Sequence, residues 1–565
     1  MSIQMKDIQF PSVTYDEWKA EAIKALKGKP FETLFTKTIE GVILEPLYTQ
    51  EMLVDKLGEQ LEKQISTIRS FKATDGIKVS QQIYGETASQ FFTSLQESIE
   101  RGNDCIAIDS KGVSFGWDDE NLIRLAKHLI ENQFKLYVDN KLDPILDVFN
   151  KIDEPTLKGF IVSNEPLRLN GFENVRTNSV NTVPYHYEGA NAIQELALAL
   201  ALAAKYAEAE GGFESLTSKF FVNFAIDTQF FSEIAKLRAF KVLWKAFTKA
   251  YEVDKPTAIP VLAETSLRSY TKADQYVNLL RAGNEALAAL IGGADYFTVH
   301  PHDCLIKPTE KSIRIARNVS LVLKEESYVE NVLDASGGSY FIEALTAEYV
   351  EKAWELFLEI EKVGGIDAYT QSGKLKADLD EVYKSRLKEV ETRKHSLIGT
   401  NIYANPVDEV PAETNGQFAQ IKRLAIPFEN LRVNYKTIQP KIAILTYGKL
   451  KDFKPRADFV EGFFATAGIV PEKSGDIFTI ESAKDWIEKA DCDYVVIAAK
   501  DEDASTLVPF ILETKPKSLI VDVAGRFKQE QEAWLAKGLN GFIFAGQNIV
   551  EKLTEIFESL KGVQQ

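Results

Sequence analysis

The chain has 565 residues, well past the roughly 250–300 at which one hydrophobic core stops growing, so at least two domains are expected. Its composition, 45% apolar and 26% charged, is that of a globular protein, and a formal charge of −17 excludes an electrostatic grip on nucleic acid or an anionic membrane surface. Small molecules and protein partners remain, in a chain whose three cysteines (Cys105, Cys304, Cys492) form no C-x-x-C pair and suit a reducing, cytoplasmic setting.

The opening MSIQMKDIQF has neither the arginines nor the apolar run of a targeting segment, the first arginine being Arg69. Residues 1–50 read as an N-terminal arm: a helix in YDEWKAEAIKALKGK, then the extended ETLFTKTIEGVILEPLYT. Across 51–400, short β-rich runs alternate with amphipathic helices. The runs are IKVSQQI (77–83), CIAIDS (105–110), FKLYVD (134–139), FIVS (160–163), VRTNSV (175–180), FFVNFAI (220–226), TAIPVLAE (257–264) and DYFTVH (295–300). Eight such runs with helical crossovers predict a (β/α)8 TIM barrel with C-terminal helices, although NEPLRLNGFEN, between Ser163 and Val175, is too short for a full crossover helix. The longest apolar stretch, LALALALAA (196–204), falls short of the roughly 18 residues that span a bilayer. Residues 401–440, with Pro406, Pro411, Pro427 and Pro440 and no sustained period, read as a linker. From 441 to 565 the runs KIAILT, DYVVIAA, SLIVDVA and GFIFA, each followed by a helix, predict a small doubly wound α/β domain.

Several stretches carry candidate chemistry. PYHYEGANAIQELALALA (184–201) reads as a strand end, a loop with Gly189 and a helix, which brings Tyr185, His186, Tyr187 and Glu188 to the barrel mouth. A histidine there is either a proton-transfer group or a packed side chain. VHPHDC puts His300 and His302 two apart, on one side of a strand, where a metal-dependent hydrolase would use them, but only His128, His186 and His395 remain to complete a site. Arg314 and Arg317 offer guanidinium groups to a phosphate or carboxylate, or to a neighbouring acidic helix. Gly337 and Gly338 lack the context of a nucleotide loop and read as a tight turn. Finally YGKLKDFKP (447–455), a strand-to-helix turn at the usual ligand position of an open sheet, has one glycine, three lysines and no histidine.

Taken together, PYHYEGANAIQELALALA, EIAKLRAFKVLW (233–244), SLRSYTKADQYVNLLRAGNEALAALIGGAD (266–295), SIRIARN (312–318), LDASGGSYFIEALT (333–346), IEKVGG (360–365) and LIGTNIYANP (397–406) resemble the methylmalonyl-CoA mutase family. The N-terminal TYDEWKAEAIKALKGKPFETLFTKTIEGVILEPLYT is similar to the arm that opens its subunits. The resemblance implies a (β/α)8 barrel that takes an acyl-CoA along its axis, followed by a flavodoxin-like domain of the cobalamin-binding type. The chemistry it implies is a radical interconversion of succinyl-CoA and methylmalonyl-CoA, with adenosylcobalamin carrying the difficult step.

Laid on that family, this chain departs where the cofactor is held. Catalytic members carry D-x-H-x-x-G, whose histidine binds cobalt and whose aspartate steadies the imidazole. With Gly448 as anchor, those positions fall here on Leu450, Asp452 and Pro455, and His395 is the last histidine of the chain. A serine pair of the family corresponds to Ala498 and Ala499, followed by Lys500, and a glycine pair to Ala524-Gly525. In VSQQIYG (79–85) the family's radical-guarding tyrosine lies opposite Ile83 and an arginine opposite Gln81, with Tyr84 expected on the other face. Tyr185 and His186 survive, as remnants or as contacts to some other ligand. The resemblance therefore points to the small (beta) subunit of a heterodimeric mutase. In that reading neither catalytic nor cofactor-binding residues are expected on this chain, and a large (alpha) subunit holds both adenosylcobalamin and acyl-CoA. A self-sufficient mutase with cobalamin held base-on, and a hydrolase barrel built on His300 and His302, are the alternatives.

Overall fold

Residues 12–72, 76–165, 167–210, 217–253 and 258–564 are described by the computed structural model of the chain. The opening Met1–Phe10, Pro166 in NEPLRLNGFEN and Thr257 at the start of TAIPVLAE lie outside them.

Period-two patterning sorts each barrel strand between two layers. In β3 (Gln133–Tyr137), for instance, Phe134 and Leu136 turn out to meet Leu95, Leu125 and Ile145 of the helical layer, while Lys135 and Tyr137 turn in. The other barrel strands are β1 (Lys78–Gln82), β2 (Cys105–Asp109), β4 (Gly159–Val162), β6 (Phe220–Ile226), β7 (Val261–Thr265) and β8 (Tyr296–Thr298). The fifth, β5, comes in two halves. Val175–Arg176 pairs with β4 and Asn178–Asn181 with β6, so the step at Thr177 closes the parallel sheet into a TIM barrel of eight strands, β8 lying beside β1.

Helix α1 (Val183–Glu188) occupies what the sequence suggests is a loop, begun by Pro184 in its first turn and ended by Gly189 at φ +127°. There a Cβ would lie 2.5 Å from the Leu379 carbonyl oxygen, so glycine is required on both counts. The apolar run 196–204 lies in α2 (Ala192–Glu210), buried between the barrel and the long helices α3 (Phe230–Ala250) and α4 (Tyr340–Lys362). No helix among the described residues is long and apolar enough to cross a membrane. After α5 (Lys374–Glu391) the stretch read as a linker contains helix α6 (Ile426–Ile438), whose Phe428, Leu431 and Tyr435 enter the core of the small domain. Pro427, read as a breaker, sits in its first turn, where no amide hydrogen is needed.

The small domain is a parallel sheet of β9 (Ile442–Thr446), β10 (Glu472–Lys473), β11 (Tyr494–Ala498), β12 (Ile520–Ala524) and β13 (Gly541–Ile543) in the order β10-β9-β11-β12-β13. That 2-1-3-4-5 arrangement is flavodoxin-like, with its switch point between β9 and β11. The two-residue edge strand β10 has no counterpart in the four runs visible in the sequence. Helix α7 (Leu450–Ala465) begins almost at once after β9.

Candidate functional site at the barrel mouth and the small-domain crevice

A buried chain of charges lies beneath the loops that follow β5, β6 and β7. His186, in α1, is fully buried, with Nδ1 2.8 Å from Glu195 Oε1 and Nε2 2.7 Å from Ser266 Oγ. Burial, reinforced by the Arg268 guanidinium, pulls this imidazole down to about 4. At neutral pH the ring is therefore uncharged, Nδ1–H donating to Glu195 and Nε2 accepting from the Ser266 hydroxyl. Both nitrogens are spent on protein. Of its neighbours, Tyr185 packs on the outer core, the Tyr187 hydroxyl accepts the Leu267 amide at 3.3 Å, and Glu188 pairs with Lys422 at 2.6 Å. The four residues placed at the mouth by the sequence are thus held by the scaffold.

The partners of His186 extend the chain. Lys236 Nζ stands 3.2 Å from Glu195 Oε2 and 2.6 Å from Glu233 Oε2, all three side chains being buried. One ammonium serves two carboxylates. Burial pushes Glu233 up to about 7, with Glu195 adding to the effect against the pull of Lys236. Above the ordinary 4.5 the native state keeps a proton that the unfolded chain has released, so this group's contribution is complete below that pH and is lost as pH rises towards 7. Glu233→Gln is accordingly expected to leave urea stability unchanged near pH 4.5 and to raise it on the order of 1–3 kcal/mol at pH 8. A gain of equal size at both pH values would show that Glu233 carries no such proton. Next to this chain, Arg268 Nε donates to Asp227 Oδ2 at 3.0 Å and its Nη1 to the carbonyls of His186 and Ala190.

The barrel axis is filled. Phe160, Phe221 and Leu262, with Tyr137 and Tyr296, form an apolar plug in which the Phe160 ring lies 5.2 Å from Phe221 and 4.9 Å from Tyr296. Above it Lys135 Nζ donates to Thr298 Oγ1 at 2.7 Å, and the Tyr137 hydroxyl donates to Glu264. Burial alone would raise Glu264, but His300, Lys135 and Tyr137 bring it down to about 2. The linker covers the mouth. Gln417 accepts from Gln82 Nε2 at 3.1 Å and donates to Asp109 Oδ2 at 2.8 Å, and Phe418 sets its ring edge-on to His300 at 5.4 Å. Any molecule threaded along the axis has to displace the plug and this cover.

Register moves one expected pair. Ile83 packs outward with Phe91 and Phe92, and Gln81 outward onto α-helical Arg317, whose Nη1 donates to Gln81 Oε1 at 2.9 Å. The inward residues are Gln82 and Tyr84, the latter with a buried hydroxyl lacking a hydrogen-bond partner, near Asp109, Asp303 and Glu264. The physical reason is the strand's alternation, which continues two residues past Gln82, through Ile83 to Tyr84. His300 and His302 lie beyond the end of β8, in the following turn, and do not converge. His300 Nε2 is 3.8 Å from Glu264 Oε1, whereas His302 stacks on Tyr276 at 5.4 Å. Among the described residues no three His, Cys, Asp or Glu side chains are grouped to hold a metal. Arg314 is exposed, and Gly337 and Gly338 form the turn into α4, where Gly338 takes φ +85° and its amide donates to Glu343 at 3.0 Å.

In the small domain the crevice at the switch point is taken up by protein. Asp452 caps α7 by accepting the Lys449 amide at 3.2 Å, Leu450 points to solvent, and Pro455 lies within the helix. Ala498 and Ala499 are fully buried. Arg456 reaches across from α7, donating to the Ala499 carbonyl, pairing with Asp501 and lying over the Phe527 ring at 5.4 Å. None of residues 396–565 is a histidine. This donor set does not fit a cobalt ion held by a protein imidazole: the position is an aspartate engaged as a helix cap, and a guanidinium bridges the slot.

Sequence reasoning found His186 but not Glu195, Ser266, Asp227 or Arg268, which surround it. Glu195 stands nine residues on, and Ser266 eighty. Only the charges inside the otherwise apolar EIAKLRAFKVLW signalled that polar groups were being buried together.

Comparison with known proteins adds an independent line. A family model described as methylmalonyl-CoA mutase matches residues 169–426. The methylmalonyl-CoA mutase small subunit of Porphyromonas gingivalis is 29% identical, the match covering 96% of this chain and 97% of that one. The small subunit of Propionibacterium freudenreichii subsp. shermanii is 25% identical over 98% of this chain and 95% of its own. The methylmalonyl-CoA mutase of Rhizobium meliloti is 33% identical, but over 44% of this chain and 37% of its own.

Proposed function

The chain belongs to the methylmalonyl-CoA mutase family, and from that premise we propose that it is the small subunit of a heterodimeric mutase, a stabilising partner without catalysis of its own. In this reading the large subunit binds adenosylcobalamin and the acyl-CoA and performs the radical interconversion of succinyl-CoA and methylmalonyl-CoA. The observation that carries the proposal is the absence of any histidine from residues 396–565, in a small domain whose crevice Arg456 bridges. The filled barrel axis and the cover formed by Gln417 and Phe418 support it, because they leave the substrate of such a reaction no path along the barrel. Division into an arm (1–50), a barrel (51–400), a linker (401–440) and a degenerate cobalamin-type domain (441–565) belongs to the same proposal. Its residues Tyr185 and His186 then serve packing, as remnants of a catalytic pair.

One observation favours the self-sufficient mutase as the second reading: Tyr84 points its phenol into the mouth. The two readings separate on purified protein. The chain alone is expected to show no cobalamin spectrum after incubation with adenosylcobalamin and gel filtration, and to form a complex of one copy each with a co-expressed large subunit that carries the cofactor. Stoichiometric uptake and acyl-CoA turnover by the isolated chain would overturn the proposal.

A further inference from the structure

Beside the barrel mouth lies a cavity of about 310 Å³. Arm residues 36–40, the connection from β6 to α3, the start of α4 and the end of α5 wall it in. Its size falls at the lower end of ligand cavities, about 300–1,000 Å³.

The charges around it do not cancel locally. Asp227 is taken by Arg268 and by the Ser269 hydroxyl at 3.1 Å, Glu389 is paired with Lys394, and Lys37 stands in water. His395 is pulled down by burial and is uncharged at neutral pH. Arg386 remains. Among the described residues it makes no ion pair, its one hydrogen bond is a long 3.5 Å contact from Nη2 to the Ala190 carbonyl, and its Nε is buried without a partner. Burial and then Arg268 lower it, to about 10, so it stays charged, with Glu40 and then Asp227 acting against them. The Thr38 hydroxyl, on the arm side of the same cavity, is likewise buried without a partner. A half-buried guanidinium, its Nε fully buried, left with neither carboxylate nor full hydrogen bonding is a costly arrangement that a bound anion relieves. Facing it are apolar side chains, among them Phe230, Phe341 and Leu345.

We propose that this cavity binds a short-chain monocarboxylate, its carboxylate on the Arg386 guanidinium and the Thr38 hydroxyl and its hydrocarbon against Phe341 and Leu345. One uncommitted cation, with the Glu40 carboxylate also on the wall, accommodates a single negative charge and disfavours a second, and the apolar wall selects an organic acid over an inorganic oxyanion.

The test is calorimetric titration of the full chain with hexanoate, hexanol, adipate and inorganic phosphate, alongside ligand-free melting curves. Hexanoate is expected to bind saturably and adipate at least about tenfold more weakly, which is about 1.4 kcal/mol; hexanol and phosphate are expected not to bind. Arg386→Met should lose at least about tenfold in hexanoate affinity while melting no lower than the parent, since it removes an uncompensated charge. Leu345→Trp keeps the guanidinium, fills the space and should also abolish binding. Absence of saturable hexanoate binding, or equal binding by Arg386→Met, would overturn the proposal. Phosphate binding as tight as hexanoate would overturn the choice of an organic acid. A markedly lower melting temperature of Arg386→Met would make the guanidinium a structural strut and overturn it too.

Discussion

Arg238→Met is expected to cost about 3–5 kcal/mol of stability, the magnitude seen when one member of a buried ionic group is removed. Arg238 projects from α3 with no exposed surface, pairing with Asp334 through Nη1 and with Glu343 through Nη2. Glu343 also accepts from Gln64 Nε2 at 2.6 Å and from the Gly338 amide, so one guanidinium ties α3 to the turn before α4 and to the helix Gln60–Ser70. Without it two carboxylates lie buried with no cation. Against a typical total of about 5–15 kcal/mol, that loss is a large share of the stability margin. Urea denaturation followed by circular dichroism measures it. Arg238→Lys should fall between, because an ammonium cannot serve both carboxylates with the geometry of a guanidinium fork. The triple change Arg238→Met, Asp334→Asn, Glu343→Gln should recover most of the loss. A cost below about 1 kcal/mol for the single change would mean that water reaches the site and the charges are already solvated.

The small domain carries a comparable pair, and Lys552→Met should cost about 3 kcal/mol or more for the same reason. Lys552 Nζ lies 2.9 Å from Oδ2 of Asp522, a side chain with no exposed surface in the middle of β12. Asn540 Nδ2 donates to the other oxygen at 3.2 Å. Space for the ammonium comes from Gly541, where an added Cβ would lie 2.5 Å from Nζ. Gly541→Ala should therefore destabilise through the same contact without altering any charge, by about 1–3 kcal/mol. If Asp522→Asn rescues Lys552→Met but not Gly541→Ala, the pair is acting through charge. Rescue of neither would assign the loss to packing of the lysine stem.

The barrel was legible because its strands are apolar or alternating runs of ordinary length, separated by amphipathic helices. The closing strand was harder to read: the step at Thr177 leaves two short halves facing different neighbours, and no local pattern reveals that. Edge strand β10 is too short to bear a period. Helix α6 was hidden by Pro427, a breaker inside a helix but a good residue in its first turn. At the candidate site the sequence offered residue types and an order, and the resemblance offered positions. What it lacked was sequence-distant contact. The hydrogen bonds that cap the mouth join Gln417 to Gln82 and Asp109, which lie 335 and 308 residues away. Tyr84 was assigned to the wrong face because an aligned position fixes a residue's rank in a strand but not the side to which the strand turns it.

Arg456 bears on what a designer could do with this chain. Giving position 452 an imidazole would remove the cap of α7, and the new ring would meet a guanidinium already anchored on Ala499, Asp501 and Phe527. Such a change therefore calls for several coordinated replacements. The side chains that occupy this crevice are the same ones that fasten its loops to the sheet, so room for a ligand here trades directly against the stability of the domain.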